Sequence, residues 1–65
     1  MSISEQLERM RRERGWTTGD VSAKTGLSEG EILLIEAGVP GVPLEVVEQL
    51  SSGLRMTFTI GDTAI

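Results

Sequence analysis

The chain has 65 residues, of which ten are acidic and six basic, and it contains neither histidine nor cysteine. Its formal net charge is −4. This length predicts one domain with a small core. The composition excludes disulfides, thiolate zinc sites and a histidine general base. An acidic balance disfavours a general nucleic-acid binder without excluding one, because local charge matters more than the total.

No apolar run approaches the roughly 20 residues that span a bilayer, and the first ten residues lack the pattern of a signal peptide. The carboxylates are scattered, with no nucleophile beside a base. We therefore expect a soluble cytoplasmic protein without membrane contact. We also expect it to be no enzyme, with no cofactor, no metal and no small-molecule substrate.

The first predicted helix covers residues 2–14. Its apolar residues Ile3, Leu7 and Met10 share one helical face. Ser2 and Glu5 have the spacing of a capping box, in which each side chain bonds the backbone amide of the other residue. Gly15 follows as a natural stop, because glycine tolerates the left-handed conformation after a helix.

The same start signal occurs twice more. Capping boxes are predicted for Thr17 with Asp20 and for Ser28 with Glu31. Hydrophobic staples accompany them, in Trp16 with Val21 and in Leu27 with Ile32. Val21 and Ala23 are the apolar residues of the short second helix, and Gly26 and Gly38 end the second and third helices.

Residues 39–43, "VPGVP", predict a rigid loop, with Pro43 near the start of a fourth helix. The face of that helix is marked by Leu44, Val47, Leu50 and Leu54. The sequence thus predicts an all-α domain of four to five helices over residues 1–54.

The tail, residues 55–65, changes period. Leu54, Met56, Phe58 and Ile60 alternate with polar residues, which predicts a β-strand. No other segment predicts a strand, and a lone strand leaves backbone groups unpaired. We therefore expect the strand to pair with its copy across the two-fold axis of a homodimer, so that these four residues mediate dimerisation. The alternatives are a tail folded onto its own helices or a disordered one.

Residues 3 to 54 resemble the lambda-repressor-like, Cro/repressor-type (XRE-like) helix-turn-helix family. The resemblance is carried by Leu7, Met10, Arg14-Gly15, Trp16-Thr17, Val21, Ala23, Gly26-Leu27-Ser28, Ile32, Ile35-Glu36 and Gly38. The loop after Gly38 is shorter than is usual in the family. The tail is similar to the C-terminal strand of antitoxins that partner kinase-type toxins, where two such strands pair.

The resemblance implies a structural ion pair between Arg11 and Glu36, which would hold the third helix against the first. It also implies that DNA is contacted from the start of the second helix and from the first turns of the third. Together with the two leucines that leave the inward face, the candidate DNA- or partner-binding residues are Thr18, Ser28, Glu29, Gly30, Glu31, Leu33 and Leu34.

These residue types are unusual for that role. The family generally places donors to phosphate or to base edges there, whereas Glu29 and Glu31 repel phosphate. Carboxylates do stabilise a helix N-terminus, and glutamate can accept from cytosine N4. Leu33 and Leu34 lie off the inward face, and four apolar residues in a row leave at least one partly exposed. An exposed leucine on a helix often marks a protein contact, and the alternative is packing against the loop or the tail. Arg9, Arg11, Arg12 and Arg14 lie at the end of the first helix. If Arg11 pairs with Glu36, the other three either form a solvated helix face or contact a DNA backbone or an acidic partner.

Two functions remain open. The first is a small DNA-binding transcriptional regulator of a phage, a mobile element or an antitoxin locus, with the third helix in the major groove. The second is a helix-turn-helix scaffold that binds a regulatory protein instead of DNA. Such an antirepressor or antiactivator would use the acidic, leucine-bearing third helix.

Overall fold

The computed structural model describes residues 2–65. Helix α1 covers Ile3–Glu13, α2 Thr18–Thr25, α3 Glu29–Glu36 and α4 Leu44–Leu54. Two short strands follow, β1 over Thr59–Ile60 and β2 over Thr63–Ala64. The predicted compact all-α class with a C-terminal strand is confirmed.

Local signals set the starts of the first three helices, and all three predicted capping boxes are present. In α1, the Glu5 amide donates to Ser2 Oγ over 3.1 Å. In α2, the amide of Asp20 donates to Thr17 Oγ1 over 3.0 Å. Each box satisfies amides that otherwise have no partner within the helix. Helix α4 instead begins after Pro43 and has no side-chain cap.

The core lies where the four helices and the tail meet. Helix α1 packs on α3, and α2 packs on both α3 and α4. The buried apolar residues are Leu7, Met10, Val21, Leu27, Ile32, Ile35, Val47, Leu50, Leu54 and Phe58. Of the predicted apolar residues, Ile3, Trp16 and Met56 are only partly buried against this core, and Ile60 is 42% exposed. Two helical residues are also outside it. Ala23 is exposed, and Leu44 is 58% exposed because packing on α4 begins one turn later, at Val47.

Helices α2 and α4 approach each other closely at Gly53. A Cβ atom on Gly53 would lie 2.5 Å from the Lys24 carbonyl oxygen and 2.8 Å from Thr25 Cα. Only glycine permits such a backbone contact. Next to it, Gln49 Nε2 donates to the Thr25 carbonyl oxygen over 2.7 Å. The end of α2 is therefore seated directly on the backbone of α4.

The C-terminal strand differs from its prediction. Leu54 is the last residue of α4, and the strand begins only at Thr59. Its partner is β2 of the same chain, with Ile60 opposite Thr63. The expectation that no other segment forms a strand was wrong, because Gly61 adopts a φ of 60° and turns the chain back within two residues. The dipeptide Gly61-Asp62 is a known hairpin signal.

A side chain of α1 fastens the hairpin to the helices. Gln6 Nε2 donates to the Thr59 carbonyl oxygen, and Gln6 Oε1 accepts from the Thr59 amide, both over 2.8 Å. The Gln6 amide thus pairs with β1 as a neighbouring strand would. Phe58 is buried beneath, and its amide donates to the Ile65 carbonyl oxygen over 2.9 Å. The tail therefore folds onto its own helices.

Candidate nucleic-acid interface

An ion pair fixes the orientation of α3. Arg11 Nε lies 2.8 Å from Glu36 Oε2, and Arg11 Nη2 donates to Glu36 Oε1 over 3.0 Å. The Arg11 side chain is 18% exposed and that of Glu36 9%. These hydrogen bonds raise the pKa of Arg11. A two-pronged contact of this kind is stronger and more directional than a single bond. The structure thus joins the two residues expected to link α1 with α3.

The turn between α2 and α3 is held by short polar contacts. Gly26 ends α2 in the left-handed conformation, with a φ of 79°. Buried Thr25 donates from Oγ1 to the Val21 carbonyl oxygen and accepts from the Leu27 amide. Ser22 donates to the Leu27 carbonyl oxygen. Since Leu27 is itself buried, α2 and α3 form a fixed helix–turn–helix unit.

The surface of α3 that points away from the core carries no polar side chain. At 100° per residue, Gly30, Leu33, Leu34 and Ala37 lie opposite buried Ile32 and Ile35. We call these four residues the outer stripe. All four are exposed, with Leu33 at 56% and Leu34 at 59%. Their side chains have no hydrogen-bond donor or acceptor for a base edge.

Two carboxylates flank the outer stripe, and both contact other residues. Glu31 Oε1 accepts from Ser28 Oγ over 3.2 Å within the capping box. Glu29 Oε1 accepts from Thr18 Oγ1, also over 3.2 Å. The structure thereby brings Thr18, the candidate DNA-binding residue at the start of α2, into contact with a carboxylate of α3. Thr18 and Glu29 form one polar contact at the edge of α3, and Ser28 with Glu31 forms another.

Cations are absent from this surface. Between residues 25 and 54 the sequence contains no lysine or arginine. Arg12 pairs with Glu8 on the exposed side of α1, with 2.9 Å between Nη2 and Oε1. Arg14 donates to the Leu54 carbonyl oxygen over 2.7 Å. At the end of α1, Arg11 is thus held in an ion pair with Glu36 and Arg12 in a surface pair, while Arg14 is bonded to the end of α4.

Trp16 contacts two cations in addition to its predicted place in a hydrophobic staple. Half-buried against the core, its ring is approached by two cations. The Arg14 guanidinium carbon lies 5.1 Å from the ring centroid and Lys24 Nζ 4.5 Å. Both distances fall within the range of cation–π attraction. The sequence offered one indication of this contact. Lys24 lies two helical turns after Thr17, the residue that caps α2, and therefore on the same side of the helix as Trp16.

Among residues 2–65, no group of His, Cys, Asp or Glu side chains is arranged to hold a metal ion. None of the described helices combines the length and the apolar character needed to cross a membrane.

The capped helices α2 and α3, joined by the Gly26 turn and completed by α1 and α4, define a helix-turn-helix domain. The chain belongs to the helix-turn-helix domain family, whose model matches residues 2–58. That range includes all four helices and reaches buried Phe58. No curated protein and no solved structure matches the chain significantly. Membership indicates a DNA-binding regulator in general, while the antitoxin-like character of the tail stays a prediction.

Proposed function

We propose that this protein is a small DNA-binding transcriptional regulator of repressor type, from a phage, a mobile element or an antitoxin locus. The observation that supports this function best is the helix–turn–helix unit itself. The Arg11–Glu36 pair and the Gly26 turn fix α3, and the whole outer stripe of α3 stays accessible. A helix presented in this way fits the major groove of B-form DNA.

The proposed mode of binding differs from that of a basic regulator. With no lysine or arginine on α3, attraction to phosphate comes from the amides at the start of α2 and from exposed arginines such as Arg9. Glu29 and Glu31 provide acceptors that suit cytosine N4. Few phosphates are neutralised, so the affinity for unrelated DNA is low.

We further propose that the protein binds DNA as a homodimer, with two copies of α3 on half-sites about one helical turn apart. Of the four residues expected to mediate dimerisation, Leu54 and Phe58 are buried in their own protomer. A contact between copies therefore involves Met56, which is half-buried, and Ile60, which is 42% exposed.

The test is binding of the purified protein to DNA from its own promoter region at two salt concentrations, with the oligomeric state checked by light scattering. We expect saturable, sequence-selective binding by a dimer that weakens as salt is raised. Failure of a folded protein to bind at low salt would reject the DNA-binding proposal. A monomer that still binds selectively would reject only the dimer.

Replacing Glu29 with Gln sharpens this test. The substitution removes a charge beside Thr18 but keeps an oxygen that can accept from a base edge, so we expect DNA affinity to rise by about tenfold, which is about 1.4 kcal/mol. Glu13→Gln, at the end of α1, is the matched control, because it changes the net charge equally but lies outside the candidate interface. Equal effects of the two variants would show that Glu29 does not face the DNA.

A second function is favoured by the outer stripe. Two exposed leucines on one helix are a common mark of a protein contact, and the carboxylates beside them oppose DNA. On this proposal, α3 binds another regulator, and the protein acts as an antirepressor or antiactivator. Leu34→Lys then abolishes binding of the partner, and intact partner binding in that variant would count against this function.

A further inference from the structure

An apolar groove of about 240 Å³ runs between α3 and the loop of residues 39–43. We call it the α3–loop groove. Its main lining residues are Glu31, Leu34, Val39, Pro40, Val42 and Val46. Leu34 and Val39 are 59% and 43% exposed, so the apolar walls face solvent. Glu31 is the one charged residue that lines the groove in the described chain.

The charged residues of α3, the loop and α4, which together form the groove, are all acidic. From residue 25 to residue 54 the chain carries five glutamates, namely Glu29, Glu31, Glu36, Glu45 and Glu48, and no lysine or arginine. Arg11 neutralises Glu36. The other four are exposed. The basic residues of the chain lie instead at positions 9 to 24 and at 55. An apolar groove formed by elements that carry only acidic residues favours ligands that are both apolar and cationic.

We propose that the α3–loop groove binds a basic, apolar segment of a partner protein. Its apolar side chains enter the groove beside Leu34 and Val46, and a lysine or arginine at its edge pairs with Glu31. This inference rests on the second, protein-binding function and specifies the chemistry of the partner. A nucleic acid does not fit, because the one charged residue of the groove, Glu31, would repel phosphate. A second copy does not offer this chemistry from its own α3, loop or α4, since these segments carry acidic residues and no lysine or arginine.

The probe is a synthetic amphipathic peptide of leucine and lysine at helical spacing, titrated into the full-length, isotope-labelled protein and followed by NMR. The same peptide with glutamate in place of lysine is the control probe. We expect shifts at Leu34, Val39, Val42 and Val46 with the lysine peptide only. Binding should weaken as salt is raised, because exposed charges are screened.

Single substitutions test separately the apolar contact at Leu34 and the charge pairing at Glu31. Leu34→Lys removes a groove wall and adds a positive charge at a 59% exposed position, so we expect at least about tenfold weaker binding. Leu44→Lys makes the same change at a 58% exposed position outside the groove lining. It should lower the affinity for the peptide by less than about twofold. Glu31→Gln retains the capping box and should weaken binding about threefold to tenfold, whereas Glu13→Gln should not.

The outcomes separate this inference from the function on which it rests. No shift with the lysine peptide, or equal shifts with both peptides, would overturn the proposal. A larger loss for Leu33→Lys than for Leu34→Lys would place the peptide on the outer stripe. That result would overturn the groove and leave the protein-binding function standing. DNA binding is measured apart from this titration, so its failure has no bearing on the groove.

Discussion

At the scale of single residues, two ion pairs of α1 contribute differently to stability because they differ in burial. Arg11 and Arg12 are neighbours on α1, and each pairs with a glutamate. The Arg11–Glu36 pair is largely shielded from water and bridges two helices. The Arg12–Glu8 pair joins adjacent turns of one helix, and the Arg12 side chain is 71% exposed. Shielded pairs are costly to break, since the remaining charge stays desolvated, whereas exposed pairs contribute little.

We therefore expect Arg11→Met to lower the free energy of unfolding by about 2 kcal/mol, because Glu36 loses its compensating charge. Arg12→Met is the matched control and should cost about 0.5 kcal/mol or less. Urea unfolding followed by circular dichroism measures both. Equal losses in the two variants would contradict a structural role for the Arg11–Glu36 pair.

At the scale of helices, two glycines within helices differ in whether their surroundings leave room for a side chain. Gly53 lies where α4 contacts the backbone of α2, whereas Gly30 lies on the exposed outer stripe of α3. A Cβ atom at Gly30 would come no closer than 3.8 Å to the nearest atom, Ser28 Oγ. Helix propensity favours alanine at both positions, so the packing alone decides the sign of each substitution.

Gly53→Ala should destabilise the fold by more than about 2 kcal/mol, because backbone atoms of Lys24 and Thr25 must move to admit the methyl group. Gly30→Ala should raise the free energy of unfolding by up to about 1 kcal/mol. Thermal unfolding of the two variants checks this difference. Stabilisation by Gly53→Ala would show that α2 and α4 are farther apart than described.

The capping boxes couple two helix starts to pH. Hydrogen bonds from the Ser2 hydroxyl and amide lower the pKa of Glu5, and those from the Thr17 amide and hydroxyl lower the pKa of Asp20. A lowered pKa in the folded state means that these groups stabilise the fold above their ordinary pKa values, near 4, and that the contribution is lost as pH falls through the lowered values.

We expect the thermal midpoint to fall on acidification below about pH 4, and the fall to be smaller in a Glu5→Gln, Asp20→Asn double variant. The amide side chains retain hydrogen-bonding capacity but do not titrate in this range. Carbon NMR titration of the two carboxyls provides the direct measurement. Ordinary pKa values for both would show that the boxes do not form in solution.

At the scale of the whole molecule, one side chain connects the two ends of the chain. Gln6 pairs with Thr59 across 53 positions of sequence, and the hairpin covers Phe58 as a result. The same contact occupies the outer edge of β1, which is the edge that a second copy would use to pair with this strand. Closure of the single chain and pairing between copies therefore compete for β1.

Gln6→Ala should accelerate hydrogen exchange at the Thr59 amide and lower the free energy of unfolding by about 1 to 2 kcal/mol. It should also increase self-association, because the edge of β1 becomes available. Gln49→Ala is the control, since Gln49 bonds Thr25 and not the hairpin. Unchanged exchange at Thr59 in the Gln6 variant would contradict this role.

The sequence alone determined the features that depend on residues a few positions apart. The three capping boxes, the glycine stops and the inward helical faces follow from spacings of three and four residues, so the helix starts and the all-α class could be predicted. The same pattern placed Leu33 and Leu34 away from the core. These features depend on hydrogen bonds and residue spacings within one helix, so they do not require the positions of distant segments. The helix-turn-helix class was implied by the resemblance of residues 3 to 54 to a known family.

Only the tertiary structure decided the rest. The Gln6–Thr59 pairing, the Gly53 contact, the Thr18–Glu29 hydrogen bond and the α3–loop groove each join segments that are distant in sequence or separated by a turn. Their partners depend on how all four helices pack together, and no short-range pattern encodes that packing. The hairpin depends on both kinds of information. Gly61-Asp62 is a local signal for a turn, but the alternation before it favoured one long strand. Burial of Leu54 and Phe58 in the core decided where the strand begins.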